Sequence, residues 1–300
     1  AVVTGELHKE IIARVFVHNP AENAWHADGY SAVDGLPFIT MHKSETQDWE
    51  PYNPPDPTMG AITGGHPPIM ETDPAGEYYG ISVLPFCAPG YFRHRLARMR
   101  EAGGIGVASR VSRGSASALG TPNEINLYAM KRLLDDPAAR LDAIWDGFIE
   151  SFYGVAAGDP ARPVLRSILE DTFAIRLKSH YVLGIWALNK NSDLPDGIGL
   201  DQFNDRGKMP KWDPDWQAIW DGLDKPDKPV VWRIWQEGTE AVSLAAAALV
   251  SLASITGSLD EAKLTDLDRR IRHQAHAARA WRAVKLFIWS KRALDGHPGD

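Results

Sequence analysis

Cysteine is almost absent from this sequence of 300 residues, since Cys87 is the only one. No disulfide can form within the chain, and a reducing, cytoplasmic compartment is favoured, although the sequence leaves the compartment open. Long apolar runs are also missing. The most apolar stretch, residues 242–255, is shorter than the roughly 20 residues that a membrane span needs. We interpret it as a buried helix and expect no association with a membrane.

A basic excess is missing too. The formal net charge is −7, and the lysines and arginines are scattered along the chain. A nucleic-acid partner is therefore not expected, because such partners select a dense basic surface. His273 and His276 are spaced three apart on a predicted helix, but they lack an acidic partner, so a solvated helix face is favoured over a metal site. No phosphate-binding glycine loop is present, and we expect neither a cofactor nor a metal.

The first 120 residues have the sequence pattern of a βα repeat. Short β-branched runs without polar alternation predict strands that are buried on both faces, as in a parallel sheet. The region 91–102 predicts an amphipathic helix between the last two runs. The runs are Ile11–His18, Pro37–His42, Pro68–Glu71 and Gly104–Val111.

These four strands predict an α/β fold: residues 1–120 form the C-terminal half of a (β/α)8 TIM barrel. Half a barrel leaves two open strand edges, which folded proteins avoid. We therefore expect the N-terminal half of the barrel to come from upstream residues or from another chain.

Residues 121–300 predict a mostly α-helical domain. It opens on Thr121-Pro122-Asn123-Glu124, which resembles a capping box. The following periodic runs predict helices up to residue 294, interrupted by a long polar loop at 189–214. The last helix carries Trp281, Phe287 and Trp289, so intrachain packing is expected and a homodimer through this domain is a further possibility.

Polar residues follow each predicted strand, at the end where βα barrels carry their active sites. Acids at neighbouring strand ends suit sugar hydrolysis, and cations beside them suit an anionic sugar. A solvated loop position is the alternative for any one of them. The residues are His18, Asn19, Lys43, Glu45, Asp48, Glu71, Asp73, Glu77, Arg110 and Arg113.

Four segments in this order resemble the α-glucuronidases of glycoside hydrolase family 67. They are ARVFVHN at 13–19, FITMHKSETQDWEP at 38–51, IMETDPAGEYYG at 69–80, and GIGVASRV at 104–111 with the helix NEINLYAMKRLLDD at 123–136. The similarity covers about half of the chain. The loop at 109–120 lacks the tryptophan-rich signature of the family, and the similarity fades after residue 153.

The resemblance implies an inverting exo-α-glucuronidase that removes terminal (4-O-methyl)glucuronic acid from hemicellulose-derived oligosaccharides. It assigns Asp48 and Glu77 to activation of the hydrolytic water, and Arg14 and Lys43 to the uronate carboxylate. For Arg14, pairing with an interior carboxylate stays open as an alternative. Glu71, Trp49 and Tyr78 complete the implied substrate site. The general acid of the family lies on an earlier strand, outside this chain.

Two alternative functions remain. One is a related barrel glycosidase that acts on another acidic or on a neutral sugar. The other is a non-catalytic carbohydrate-binding or assembly subunit that reuses half of a barrel.

Overall fold

The computed structural model describes residues 10–16, 20–33, 37–45, 51–52, 55–61, 66–76, 83–112, 114–185, 193–195, 214–255, 257 and 259–296. These residues form a mixed α/β structure. The strands are β1 (Ile12–Val15), β2 (Ile39–Lys43), β3 (Pro68–Thr72) and β4 (Gly106–Ser109). The helices are α1 (Pro20–Ser31), α2 (Pro89–Glu101), α3 (Glu124–Asp135), α4 (Leu141–Phe148), α5 (Ala161–His180), α6 (Pro214–Asp224), α7 (Lys228–Ala253) and α8 (Glu261–Gly296).

The four strands form one parallel sheet in the order β1-β2-β3-β4. Each strand pairs in parallel with the next strand along the chain. Helix α1 connects β1 to β2, and α2 connects β3 to β4. The predicted parallel sheet is therefore present. The barrel and the domain boundary at residue 120 are finer predictions that stay open.

The two faces of the sheet differ in burial. On one face Met70 belongs to the same buried apolar cluster as Phe92 and Leu96 of α2, and Val107 packs against this cluster. On the opposite face Ile12 is 54% exposed, and Arg14 is also exposed. Burial of the strands on both faces stays a prediction that depends on the rest of the barrel, because no layer of the described residues covers this second face. We call it the open face.

The helical region surrounds a large apolar core. Helices α3, α4, α5, α7 and α8 all contribute side chains to the cluster that also contains Met70 of β3, so the core is continuous across residue 120. Trp281 and Trp289 of α8 are buried within the chain, whereas Phe287 is 63% exposed. Packing within the chain thus accounts for the two tryptophans, and the homodimer stays a prediction.

The start of α3 differs from the predicted capping box. The helix begins at Glu124, and the Thr121 hydroxyl donates to the carbonyls of Ser117 and Ala118. The Glu124 carboxylate accepts from the Gly120 amide at 2.6 Å. The prediction was wrong because the Thr121 hydroxyl binds the preceding turn of the chain and caps no helix amide.

Among the described residues, no helix combines the length and the apolar character that a membrane crossing requires.

Candidate active site at the carboxyl edge of the sheet

Strand register places the charged residues of the open face in successive rows. Arg14 lies opposite Met41, and Met41 lies opposite Ile69. One row nearer the carboxyl end, Lys43 lies opposite Glu71. Side chains two residues apart on a strand share a face, so the charges collect at the carboxyl edge of the open face.

The ladder continues one step beyond the strand ends. The Ser44 amide donates to the Glu71 carbonyl, and the Arg110 amide donates to the Thr72 carbonyl, both at 2.9 Å. Glu45, Asp73 and Arg110 therefore follow the row of Lys43 and Glu71. The carboxyl edge thus joins carboxyl groups and cations within a few residues of three adjacent strand ends.

Arg14 and Glu71 form a two-bond ion pair across the open face. Arg14 Nε donates to Glu71 Oε2 at 2.7 Å, and Nη2 donates to Oε1 at 2.9 Å. The arginine reaches over β2, since β1 and β3 are not neighbours. Its side chain is 44% exposed and that of Glu71 is 15% exposed. The carboxylate partner that was the alternative for Arg14 is thus present, and it belongs to the predicted site itself.

Lys43 lies over an aromatic ring. Its Nζ is 3.6 Å from the centroid of the Phe16 ring, and the residue is 2% exposed. Such a contact is strongest when the cation is withdrawn from water. Phe16 follows β1 directly, so the end of β1 supports the cation of β2.

Glu45 is a buried acid at the end of β2. Its carboxylate lies 3.7 Å from Arg95 Nε of helix α2, and the Ser44 hydroxyl donates to it. Burial raises the pKa of Glu45 to about 7, against the lowering effects of Arg95 and Ser44. The charge of Asp73 raises this pKa further, which couples the ends of β2 and β3 electrostatically.

Asp73 is a second buried acid, at the end of β3. Burial raises its pKa to about 7, and Arg110, the amides of Ala75 and Gly76, and Arg176 act in the opposite direction. The Ala75 amide donates to Asp73 Oδ1 at 3.2 Å. Gly76 has a φ of +74°, a conformation that glycine adopts without the strain a side chain causes. Asp73 is thus held in a tight turn and titrates near neutral pH.

The predicted site residues divide into those that the structure describes and those that it does not. Arg14, Lys43 and Glu71 are placed together on the open face, and Glu45, Asp73 and Arg110 follow them at the carboxyl edge. Seven further residues lie outside the described residues, and their roles stay predictions: Asp48, Glu77, Trp49, Tyr78, His18, Asn19 and Arg113.

Sequence reasoning placed Glu45, Asp73 and Arg110 at strand ends but assigned them no role. The period of two along a strand is the signal that groups them with Lys43 and Glu71. No sequence signal identifies Arg95 and Arg176, because both come from helices that reach the edge only in the folded chain.

The site was compared with metal-binding groups and with known proteins. The described part of the chain contains no group of three or more histidine, cysteine, aspartate or glutamate residues that could hold a metal ion. No protein-family model and no curated protein matches the chain.

Proposed function

We propose that this chain contributes the water-activating side of a glycoside hydrolase active site, in an inverting exo-enzyme that acts on a terminal uronic acid. The observation that carries the proposal is the meeting of Arg14, Lys43 and Glu71 on the open face, at the carboxyl edge of consecutive parallel strands. Barrel enzymes bind their substrates at this end of the sheet.

The open face also supports the barrel part of the proposal. β1 and β4 are the edge strands, and apolar Ile12 is largely exposed beside the charged residues. Further parallel strands would pair with both edges and cover this face. Those strands would come from residues upstream of Ala1 or from another chain, and they would supply the general acid.

The cations have a defined task in this proposal. The fork to Glu71 occupies the Nε and Nη2 side of Arg14, and the half-exposed guanidinium can offer Nη1 to a uronate. The Lys43 ammonium is already withdrawn from water, so pairing with a carboxylate would cost it little further desolvation. Together they would recognise the negative charge of the sugar.

The proposed chemistry is a single displacement. Asp48 and Glu77 would remove a proton from a water molecule that attacks the anomeric carbon, while an acid on the opposite side protonates the leaving oxygen. In inverting enzymes the acid and the base stand roughly 6.5–9.5 Å apart to admit this water. The step needs no metal and no organic cofactor.

The test uses the complete gene product with glucuronosyl xylo-oligosaccharides, and measures the release of uronic acid. Asp48→Ala and Glu77→Ala should each lower kcat by about 10²–10⁴-fold, because each removes a group that acts on the attacking water. Asp135→Ala is the matched control, since Asp135 is an exposed acid on α3 that pairs only with its helix neighbour Lys131 among the contacts described. Near-normal rates in either site variant contradict the assignment.

Lys43→Met tests the substrate class. An enzyme for uronosides should show a higher KM in this variant, whereas an enzyme for neutral sugars should retain its KM. Sugar binding by the complete protein without product release would instead indicate the non-catalytic subunit. The same binding and turnover measurements therefore separate all three functions.

A further inference from the structure

Helix α5 delivers a buried arginine to the turn that follows β3. Arg176 is 1% exposed. Its Nη1 donates to the Leu84 carbonyl at 3.1 Å, and its Nη2 donates to the Gly76 carbonyl at 3.3 Å. One guanidinium thus holds the chain on both sides of residues 77–83. The same group is one of the charges that act on Asp73.

Two asparagines at the start of helix α3 hold the same connection. Asn123 Nδ2 donates to the carbonyls of Ala75 and Leu84, and its Oδ1 accepts from the Phe86 amide at 2.6 Å. Asn126 Nδ2 donates to the Pro74 carbonyl at 2.9 Å. These contacts are neutral, so they fix the backbone without adding charge. Arg176 supplies both a two-carbonyl contact and a positive charge to this connection from the helical region.

An arginine at this position has a cost that packing does not explain. A buried charge is expensive, and an apolar side chain of similar volume would fill the space beside Phe86 equally well. The fork geometry of a guanidinium suits two acceptors that diverge, which a lysine ammonium reproduces poorly. The position therefore uses what is specific to arginine: two directed donors and a permanent charge.

We propose that Arg176 is a positioning residue for the carboxyl edge of the sheet, which holds the Asp73–Gly76 turn in place from within the helical region and adds a positive charge beside it. The inference rests on the proposed function for its activity readout alone. In this proposal the helical region belongs to the site, because Arg176 of α5 fixes the backbone after β3 and places a positive charge there.

The test compares Arg176→Met and Arg176→Lys with Arg162→Met in the complete gene product. Arg162 lies on the same helix, is also largely buried and donates to a backbone carbonyl, that of Val155 at 2.6 Å, far along the helix from the β3 turn. Misplacement of a reacting group by about 1 Å can cost 10²-fold in rate, so kcat should fall about 10²-fold in Arg176→Met. Arg162→Met should retain kcat.

Charge and geometry are separated by the lysine variant. Carbon-13 NMR of the carboxyl groups should show the titration midpoint of Asp73 moved to higher pH in Arg176→Met, since a cation that favours the ionised form is lost. Arg176→Lys should keep the midpoint of the parent while kcat falls at least about tenfold, because the charge remains and the fork is lost.

Several outcomes would overturn the inference. These are an unchanged kcat in both Arg176 variants, an equal fall of kcat in Arg162→Met at the same folded fraction, or an unmoved Asp73 midpoint in Arg176→Met. Should Arg176→Met fail to fold, Arg176→Lys decides: its kcat should fall, and its Ala75 amide, which donates to Asp73 Oδ1, should exchange with solvent faster than in the parent. If the parent protein hydrolyses no uronoside, the proposed function fails by itself. The Asp73 midpoint and Ala75 exchange then still test the positioning role.

Discussion

Buried charges are arranged differently in the sheet region and in the helical region. At the carboxyl edge of the sheet, Glu45 and Asp73 are buried near each other and near cations, and both have pKa values of about 7. In the helical region, the buried ammonium of Lys285 contacts the carbonyls of Lys178 and Tyr181, at 2.6 and 2.8 Å, and the Glu237 carboxylate at 3.1 Å. The helical arrangement satisfies its charge, whereas the sheet arrangement leaves two acids ready to change protonation.

This difference separates structural from functional uses of burial. A buried cation that is bonded to backbone carbonyls and a carboxylate stabilises one arrangement of helices. Two buried acids that titrate near neutral pH make stability depend on pH, and they suit a site where protons are exchanged. The contrast therefore favours the carboxyl edge as the place for the proposed chemistry.

The largest effect is expected from Lys285→Met. Removing the ammonium leaves Glu237 and two carbonyls without their partner, and breaking a buried pair in this way costs about 3–5 kcal/mol. Urea unfolding at pH 7 measures the loss. Lys291→Met is the matched control on the same helix, because Lys291 forms only an exposed pair with Asp295 and should change stability by less than about 0.5 kcal/mol. An equal loss of unfolding free energy in both variants would contradict a special contribution of the buried Lys285 contacts to stability.

A smaller effect for each residue should appear in the dependence of stability on pH. The folded state raises the pKa values of Glu45 and Asp73 to about 7, so it binds more protons than the unfolded state between about pH 4 and pH 7. Their contribution to the free energy of unfolding is therefore full below this window and is lost as the pH rises through it. We expect a decrease on the order of 3 kcal/mol for each acid between pH 4.5 and 8.

Amide variants isolate this contribution. Glu45→Gln and Asp73→Asn mimic the protonated acids, so the double variant should unfold with a much flatter dependence on pH in urea titrations. Glu101→Gln serves as the control, since Glu101 is an exposed acid on α2 beside Arg98. If the control flattens the curve as much as the double variant does, the buried acids are not responsible.

Much of this architecture could be predicted from residue patterns, and the rest depends on packing. The β-branched runs revealed all four strands, although Ile11–His18 was predicted longer than the observed Ile12–Val15. Local hydrophobic pattern identifies a strand, but pairing decides where it ends. The exposure of Ile12 and Arg14 could not be predicted, because apolar residues on both sides of a strand do not say which side is covered.

The site shows the same limit. Lys43 and Glu71 could be predicted from motifs because both lie at strand ends. The partner of Arg14 could not be chosen, since the contact to Glu71 passes over an intervening strand. Arg176 was beyond prediction for a stronger reason: helix α5 approaches the β3 turn only through the shared core.

The smallest effect is expected for the ion pair of Arg14 and Glu71, which is less buried than the charges compared above. The pair of Arg14 and Glu71 has two hydrogen bonds, and the arginine is about half-exposed. Its interaction energy should therefore be smaller than that of the buried Lys285 contacts and larger than that of a solvated ion pair. A double-mutant cycle of Arg14→Met and Glu71→Gln should give a coupling of about 1 kcal/mol, which decreases as salt is raised to 1 M. A coupling energy of several kcal/mol that does not change with salt concentration would mean that the open face is covered in solution. The barrel proposal requires such a cover in the complete protein. Measuring the cycle both in this chain and in the complete gene product therefore turns the smallest effect into a test of what lies against the sheet.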